Sequence, residues 1–163
     1  MNRFLKIFYN IAIIYILFII SWYMPFSYKL ANSSIFLKLD FFLIYIIIQA
    51  LIWNRFDIIL FGFIIGFLMD LDMESNLIGL NSFFIPIVSY FLGFLKLNSS
   101  NWDIKFKFIY LSIIVFIYFC FKFIFYQWHL NFLDFISIIM NSILVIGCFI
   151  SINKYFYKNK LMK

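Results

Sequence analysis

Charged residues are scarce in this sequence, and their scarcity excludes an ordinary soluble domain. They make up 12% of the 163 residues, whereas 66% are hydrophobic and 25% are aromatic, and the mean hydropathy is +1.04. A soluble domain averages roughly 45–50% apolar and about 25% charged residues. A globule of this size has no core large enough to hide such a surplus from water. The surplus must face lipid, so the composition predicts an all-α integral membrane protein.

Residues with reactive side chains are also scarce. The sequence holds one histidine, His129, and two cysteines, Cys120 and Cys148, which lie inside apolar runs away from other soft ligands. Cysteines placed in this way predict neither a disulfide nor a metal site. An intramembrane enzyme would need a nucleophile and a base, or a set of metal ligands, within reach of one another. We therefore predict a protein that is not an enzyme, with no catalytic residues, no metal and no cofactor.

The apolar residues are gathered into six runs, and each is interpreted as a transmembrane helix. A helix that crosses the hydrocarbon needs roughly 17–25 residues, a length that the second and third runs do not reach on their own. Those two are expected to recruit flanking residues or to sit tilted inside the bundle. The sequence thus predicts a single polytopic membrane domain over residues 1–163, a compact bundle with spans at about 7–24, 40–53, 57–70, 77–95, 106–127 and 135–153.

A re-entrant hairpin is the alternative for residues 57–83, with its bend between Asp70 and Glu74. Non-helical backbone at membrane depth needs protein to cover it, because the bilayer core offers no water to its polar groups. Two full spans are therefore the favoured interpretation of this segment.

Basic residues are distributed unevenly along the chain, and this sets the predicted orientation. If the N-terminus is cytoplasmic and all six runs span, the inner segments carry ten of the 13 basic residues. Short loops with such an excess lie on the cytoplasmic side, so both termini are predicted to be cytoplasmic. The net charge of +6 is then a contact with the inner leaflet rather than a nucleic-acid-binding surface. The inner basic residues are Arg3, Lys6, Arg55, Lys96, Lys105, Lys107, Lys154, Lys158, Lys160 and Lys163.

Three of the seven carboxylates fall within one stretch of otherwise apolar sequence, FGFIIGFLMDLDMESNLIGLNSF, at residues 61–83. Positions four apart on a helix lie almost above one another, so Gly62, Gly66 and Asp70 share one ridge. Glycines let a neighbouring helix approach closely, and close packing is what holds helices together in lipid. Two interpretations remain open: the ridge packs against a neighbour within the bundle, or it docks the transmembrane helix of a partner.

Asp70 ends this ridge at membrane depth, where a carboxylate is costly and usually has a partner or a function. Two interpretations of Asp70 remain open: it solvates a tight turn, or it has a structural or docking role, for example as a cap of the following turn that accepts hydrogen bonds from backbone N–H groups. Asp72 and Glu74 are interpreted as residues that solvate a tight turn. Three acids without an orderly set of histidine or aspartate partners predict neither a metal site nor a catalytic site.

Lys122 is the basic residue that lies well inside an apolar run, in FCFKFIFYQWH. It is interpreted as a membrane-embedded polar residue that either extends its head group to the interface or pairs with a carboxylate such as Asp70 or Asp134. His129, beside Trp128, is interpreted as a residue of the interfacial belt, with a proton relay as the alternative.

A proline and three amide side chains also interrupt the apolar runs. Pro86 is expected to kink the fourth helix and to free a carbonyl near its middle. Asn10, Gln49 and Asn141 are candidates for hydrogen bonds between helices, each worth about 1 kcal/mol or less.

The glycine ridge, the aspartate, a short polar turn, IGLNSF and an ending in SYFLGF follow one another along the chain. This order resembles the shared core of the MreD family of rod shape-determining proteins, approximately G-x-x-x-G-x-x-x-D, a short polar stretch, L-G-x-N and a later Y-L-x-G. The length, the six predicted spans, the Met24-Pro25 step after the first run and the basic tail also fit the proteobacterial members. The acidic turn LDMES departs from the small-residue turn expected in the family. The residues that match the core are Gly62, Gly66, Asp70, Gly79, Asn81, Tyr90 and Gly93.

The resemblance implies a non-enzymatic, multi-pass protein of the bacterial cytoplasmic (inner) membrane that takes part in side-wall elongation and so maintains rod cell shape. Its partner would be the bitopic protein MreC, and through MreC the actin-like MreB, the glycosyltransferase RodA and a penicillin-binding transpeptidase. The matching residues would then serve helix packing or partner docking.

A small-molecule-binding component of a vitamin-type transporter is the alternative function, because the architecture of the family is similar to that of such components. A transporter would need paired ionisable residues at the membrane midplane, or broken helices in related halves. Lys122 and Pro86 are the residues that favour this alternative. A membrane assembly factor needs helix-docking faces and little else, and this is the function that the sequence predicts.

Overall fold

The computed structural model describes residues 3–23, 27–29, 36–71, 79–98, 100–127 and 131–157, which form six α-helices and one short β-hairpin. The helices coincide with the six apolar runs, and their ends fall within a few residues of the predicted ones. Apolar segments of this kind form helices because a helix satisfies its backbone polar groups internally. The helices are α1 (Arg3–Tyr23), α2 (Phe41–Ile52), α3 (Arg55–Leu71), α4 (Leu80–Leu97), α5 (Ile104–Gln127) and α6 (Phe132–Tyr155).

A two-stranded antiparallel hairpin lies between α1 and α2, and the sequence did not predict it. Its strands, β1 (Ser27–Lys29) and β2 (Phe36–Lys38), pair Ser27 opposite Lys38 and Lys29 opposite Phe36. Strands of three residues are too short to produce a recognisable alternation of apolar and polar positions. β2 contacts α6, so the hairpin rests against the helical bundle.

Helix α2 is the centre of the core. Nine consecutive residues, from Phe42 to Ala50, are buried, and the helix contacts α1, α3, α4 and α6. A helix that is apolar on every side is expected to be enclosed by other helices. With 12 residues it is about 18 Å long, shorter than the roughly 30 Å of bilayer hydrocarbon. The prediction that the short second run sits inside the bundle agrees with this position.

Three of the described helices, α4, α5 and α6, are long and apolar enough to cross a membrane. The apolar part of α1, Tyr9–Ile20, is shorter. Large hydrophobic side chains project outward from these helices, including Ile109 and Ile113 on α5 and Ile143 on α6. The composition predicts an apolar outer surface of this kind. The fold is therefore that of a helical membrane protein.

Helices α3 and α4 pack side by side over most of their length, and they run in opposite directions. α3 follows α2 almost directly, through Trp53 and Asn54. Residues 72–78 between α3 and α4 lie outside the described part of the chain, and so do the predicted turn residues Asp72 and Glu74. We call α3 and α4 together the α3–α4 hairpin.

Candidate functional site

The glycine ridge of α3 faces α4 of the same chain. A methyl group added at Gly66 would come within 2.5 Å of the Asn81 carbonyl oxygen and 2.8 Å of Ser82 Cα, both of which are backbone atoms. A methyl group added at Gly62 would collide with the side-chain hydroxyl of Ser89. Both glycines are buried. The ridge therefore serves packing within the chain, and α4 covers the face that a partner helix would have needed.

Asp70 closes one end of the α3–α4 hairpin by capping α4. Its Oδ1 accepts a hydrogen bond from the backbone N–H of Asn81 at 2.9 Å, and its Oδ2 accepts from the backbone N–H of Ser82 at 2.8 Å and from the Ser82 hydroxyl. The first N–H groups of a helix have no partner inside the helix, and a negative charge at that end is favourable. Asp70 thus acts as a helix cap, but for the start of α4, eleven and twelve residues further along the chain. The turn directly after Asp70, which the sequence suggested as the capped segment, lies outside the described residues.

The start of α4 is capped by a side chain of α3 because the N-cap residue of α4, Gly79, has no side chain of its own. Gly79 has a left-handed conformation with φ of 97°, which favours glycine over residues with a Cβ atom. Glycine has no side chain with which to accept a hydrogen bond from the helix, so the Asp70 carboxylate supplies the missing acceptor from across the hairpin. Two residues therefore shape the start of α4. Gly79 supplies the left-handed backbone conformation before the helix, and Asp70 accepts the hydrogen bonds of its first N–H groups.

At the other end of the hairpin, Arg55 packs against Tyr90 and Gly93. These two residues also match the MreD core. The Arg55 guanidinium carbon lies 3.7 Å from the centre of the Tyr90 ring, a cation–π contact. Its aliphatic stem fills the space left by Gly93, where an added methyl group would come within 3.0 Å of Arg55 Cγ. The residues that match the MreD core therefore all belong to the α3–α4 hairpin, where they shape its contact, its turn or one of its ends.

The sequence prediction treated Arg55 as a loop charge and missed this role. A signal was available, because Arg55 and Gly62 are separated by two helical turns at about 3.6 residues per turn. Arg55 thus begins the same ridge that Asp70 ends.

A second polar cluster joins α2 to α5, and we call it the Asp40 cluster: Asp40, Tyr118 and Lys122. Asp40 caps α2, because its Oδ1 accepts a hydrogen bond from the backbone N–H of Leu43 at 3.0 Å. Its Oδ2 accepts from the Tyr118 hydroxyl at 2.8 Å and from Lys122 Nζ at 2.9 Å. Lys122 Nζ also donates to the Tyr118 hydroxyl oxygen at 3.2 Å. The Asp40 side chain is 6% exposed and that of Lys122 is 20% exposed, so the ion pair is largely removed from solvent.

Lys122 thus pairs with a carboxylate, but its partner is neither of the two that the sequence suggested. Asp70 is engaged by the first turn of α4, and Asp134 accepts a hydrogen bond from the Asn131 backbone N–H in the capping box of α6. Each of these acids serves the start of a helix. Asp40 does the same for α2, and α2 starts beside the late turns of α5, where Lys122 projects.

Amide side chains connect α1 to α2, as predicted for Asn10 and Gln49. Asn10 Oδ1 accepts hydrogen bonds from the Tyr45 hydroxyl at 2.8 Å and from Gln49 Nε2 at 3.4 Å. Asn141 is buried on α6.

α4 continues as one helix through Pro86.

Several predicted residues lie outside the described part of the chain: His129 and Trp128 between α5 and α6, and Met24 and Pro25 after α1. The two cysteines, Cys120 on α5 and Cys148 on α6, are free thiols. Within the described residues, no three His, Cys, Asp or Glu side chains are grouped closely enough to hold a metal ion.

Comparison with known proteins gives no match to this chain among protein families, curated proteins or solved structures.

Proposed function

We propose that this protein is a member of the MreD family and acts as a non-enzymatic scaffold of side-wall elongation in the bacterial cytoplasmic membrane. The observation that carries the proposal is the use of Asp70. Both of its oxygens accept hydrogen bonds from the first turn of α4, so the carboxylate closes a glycine-packed helical hairpin. An acid used in this way is an architectural group, as a scaffold requires.

The proposal includes six spans with both termini in the cytoplasm. The alternation of six spans is supported by the contact between Asp40 and Lys122, which brings the start of α2 beside the late turns of α5. The orientation is supported by the excess of basic residues in the segments assigned to the inner side. Helices that alternate in direction from an inner N-terminus put the start of the second and the end of the fifth at the outer surface. The same alternation puts Asp70 at the outer end of the α3–α4 hairpin and Arg55 at its inner end.

The proposed partner is MreC, and through it MreB, RodA and a penicillin-binding transpeptidase. Because α4 covers the glycine ridge, a transmembrane helix of MreC would contact the outward side of the hairpin. Side chains that project from that side include Phe63 and Phe67 on α3 and Phe83 on α4, each more than half exposed. Large aromatic side chains of this kind offer contact area to a neighbouring helix.

Depletion of the protein in its native cell, followed by imaging of cell shape, tests the proposal. We expect the cells to round and widen as the protein is lost, because side-wall synthesis would lose a component of its membrane assembly. Cells of unchanged shape that instead require a supplied nutrient would contradict the proposal.

That second outcome would favour a small-molecule-binding component of a transporter. The observation on its side is the Asp40 cluster, an ion pair enclosed by α2 and α5 at the start of a helix too short to span the bilayer. Ionisable pairs within transmembrane segments are a common feature of transport pathways.

A further inference from the structure

Arg55 has donor groups that the described part of the chain does not use. Its guanidinium carbon lies over the Tyr90 ring, 3.7 Å from the ring centre, and 5.8 Å from the centre of the Phe94 ring. This contact is an electrostatic attraction between the guanidinium and the ring quadrupole, and it is not a hydrogen bond to an oxygen acceptor. Among the described residues, none accepts a hydrogen bond from Arg55, and none forms an ion pair with it. Up to five N–H donors in a fixed planar arrangement are therefore available to a ligand.

Further aromatic side chains lie close to Arg55, beyond the Tyr90 and Phe94 rings that it contacts. The Trp102 ring, from the segment that joins α4 to α5, lies 5.8 Å from the Phe94 ring and 5.1 Å from the Tyr110 ring. The Tyr110 hydroxyl donates a hydrogen bond to the Phe91 carbonyl oxygen at 3.2 Å. Tyrosine and tryptophan side chains prefer the depth of the lipid head groups, since one part of the ring is apolar and another is polar. We call Arg55, Tyr90, Phe94, Trp102 and Tyr110 the Arg55 cluster.

Nearby charges leave this end of the bundle positive. Lys96 lies on the last turn of α4 and donates from Nζ to the Ile52 carbonyl oxygen at 2.6 Å, and Lys105 is exposed on the first turn of α5. Asp57 is exposed on α3, but residues two apart on a helix do not face each other, and Asp57 forms no ion pair with Arg55. Asp103 is exposed next to Trp102.

We infer that the Arg55 cluster binds the phosphate of an anionic phospholipid. The guanidinium edge matches the oxygens of a phosphate group through two parallel hydrogen bonds, and the pair is strengthened by opposite charges. Tyr90, 46% exposed beneath the guanidinium, and Trp102 provide the apolar surface against which the lipid chains lie. The site lies where α3 begins and α4 ends, at the bilayer surface. It does not depend on a role in wall elongation.

Native mass spectrometry of the full chain in detergent tests this site with phosphatidylglycerol and phosphatidylcholine of identical acyl chains. The unaltered protein is expected to bind phosphatidylglycerol more tightly. Arg55→Gln should weaken that binding by about tenfold or more, the loss expected for a charge-assisted contact. The matched control is Lys105→Gln, which removes an exposed charge from the same end. It should weaken binding by less than about threefold, because salt screens the charge of an exposed lysine and its ammonium lacks the planar pair of donors that Arg55 offers.

Two further measurements separate the alternatives. Arg55→Lys keeps the charge and an aliphatic stem against Gly93 but loses the planar fork, so its affinity should fall between those of Arg55→Gln and the unaltered protein. An excess of inorganic phosphate should leave the lipid bound. Equal affinities for Arg55→Gln, Lys105→Gln and the unaltered protein would overturn the assignment. Complete displacement by inorganic phosphate would also overturn it, in favour of a small-anion site.

Discussion

At the scale of single residues, the charged side chains of this protein act mainly as helix caps and helix connectors. Asp40, Asp70 and Asp134 each accept hydrogen bonds at the start of a helix, and Asp40 also holds Lys122 of another helix. A carboxylate buried without such partners would be strongly unfavourable in an apolar interior. The three buried acids among the described residues, Asp40, Asp70 and Asp134, are therefore explained by architecture.

Gly66→Ala should destabilise the protein more than Gly62→Ala. The added methyl group at position 66 meets backbone atoms of Asn81 and Ser82, which cannot move without separating the helices, whereas at position 62 it meets the Ser89 side chain. Overpacking of this kind costs about 1–3 kcal/mol. Thermal unfolding of the purified variants in detergent measures the difference. Gly147→Ala on α6 is the control, since a methyl group there meets nothing within 4 Å, and an equal loss at positions 66 and 147 would refute the packing role.

Lys122→Met should destabilise the protein by about 3–5 kcal/mol, the cost of leaving a buried charge without its partner. Asp40→Asn removes that charge while it keeps an acceptor oxygen for the Leu43 N–H. The double variant should therefore be more stable than Lys122→Met alone. Chemical denaturation of the two single variants and the double variant gives the coupling between the residues. Additive effects of the two substitutions would mean that the pair is not coupled.

At the scale of secondary-structure elements, the helices could be predicted from the sequence and their mutual contacts could not. Apolar runs locate helices because backbone in lipid has to satisfy its own hydrogen bonds. The sequence indicated that Asp70 accepts hydrogen bonds from backbone N–H groups, but not that those groups belong to the first turn of α4. The pairing of Lys122 with Asp40 was not, because it depends on where α2 starts relative to α5. The stacking of Arg55 on Tyr90 likewise depends on the register between α3 and α4.

Asp70→Leu should loosen the first turn of α4 and leave its last turns unchanged. The variant removes the acceptors of the Asn81 and Ser82 N–H groups, at a cost of about 1–3 kcal/mol for each donor left without a partner. Amide hydrogen exchange, measured by mass spectrometry, should become faster near residues 80–84 and stay the same near residues 92–97. Asp57→Leu, which alters an exposed carboxylate of α3, is the matched control. Unchanged exchange at the start of α4 would contradict the capping role.

At the scale of the whole molecule, a buried central helix is surrounded by longer helices whose outer side chains are apolar. α2 is held from both ends: Asp40 and Lys122 join its start to α5, and Lys96 donates to the Ile52 carbonyl oxygen at its end. Asn10 ties α1 to the middle of the same helix. An arrangement of this kind offers a stable frame with an apolar exterior, which suits a protein that acts by contact with other membrane proteins.

The orientation of the bundle can be tested with reporter fusions. Under six spans with a cytoplasmic N-terminus, fusions at Glu74 and after His129 should report the periplasm, and fusions after Lys105 and Lys163 should report the cytoplasm. The physical reason is the excess of basic residues in the segments assigned to the inner side. A cytoplasmic signal from the fusion at Glu74 would rule out this topology.

The most direct test of a scaffold closed by Asp70 is the width of cells in which variants replace the depleted protein. Asp70→Asn keeps one acceptor oxygen and nearly the same shape, so it should retain part of the proposed shape-maintaining activity, whereas Asp70→Leu should lose it. Ion coupling would instead need the ionisable carboxylate itself. If Asp70→Asn failed as completely as Asp70→Leu while both variants reached the membrane intact and Asp70→Asn kept slow amide exchange at the start of α4, the charge itself would be essential and the scaffold account of Asp70 would be wrong.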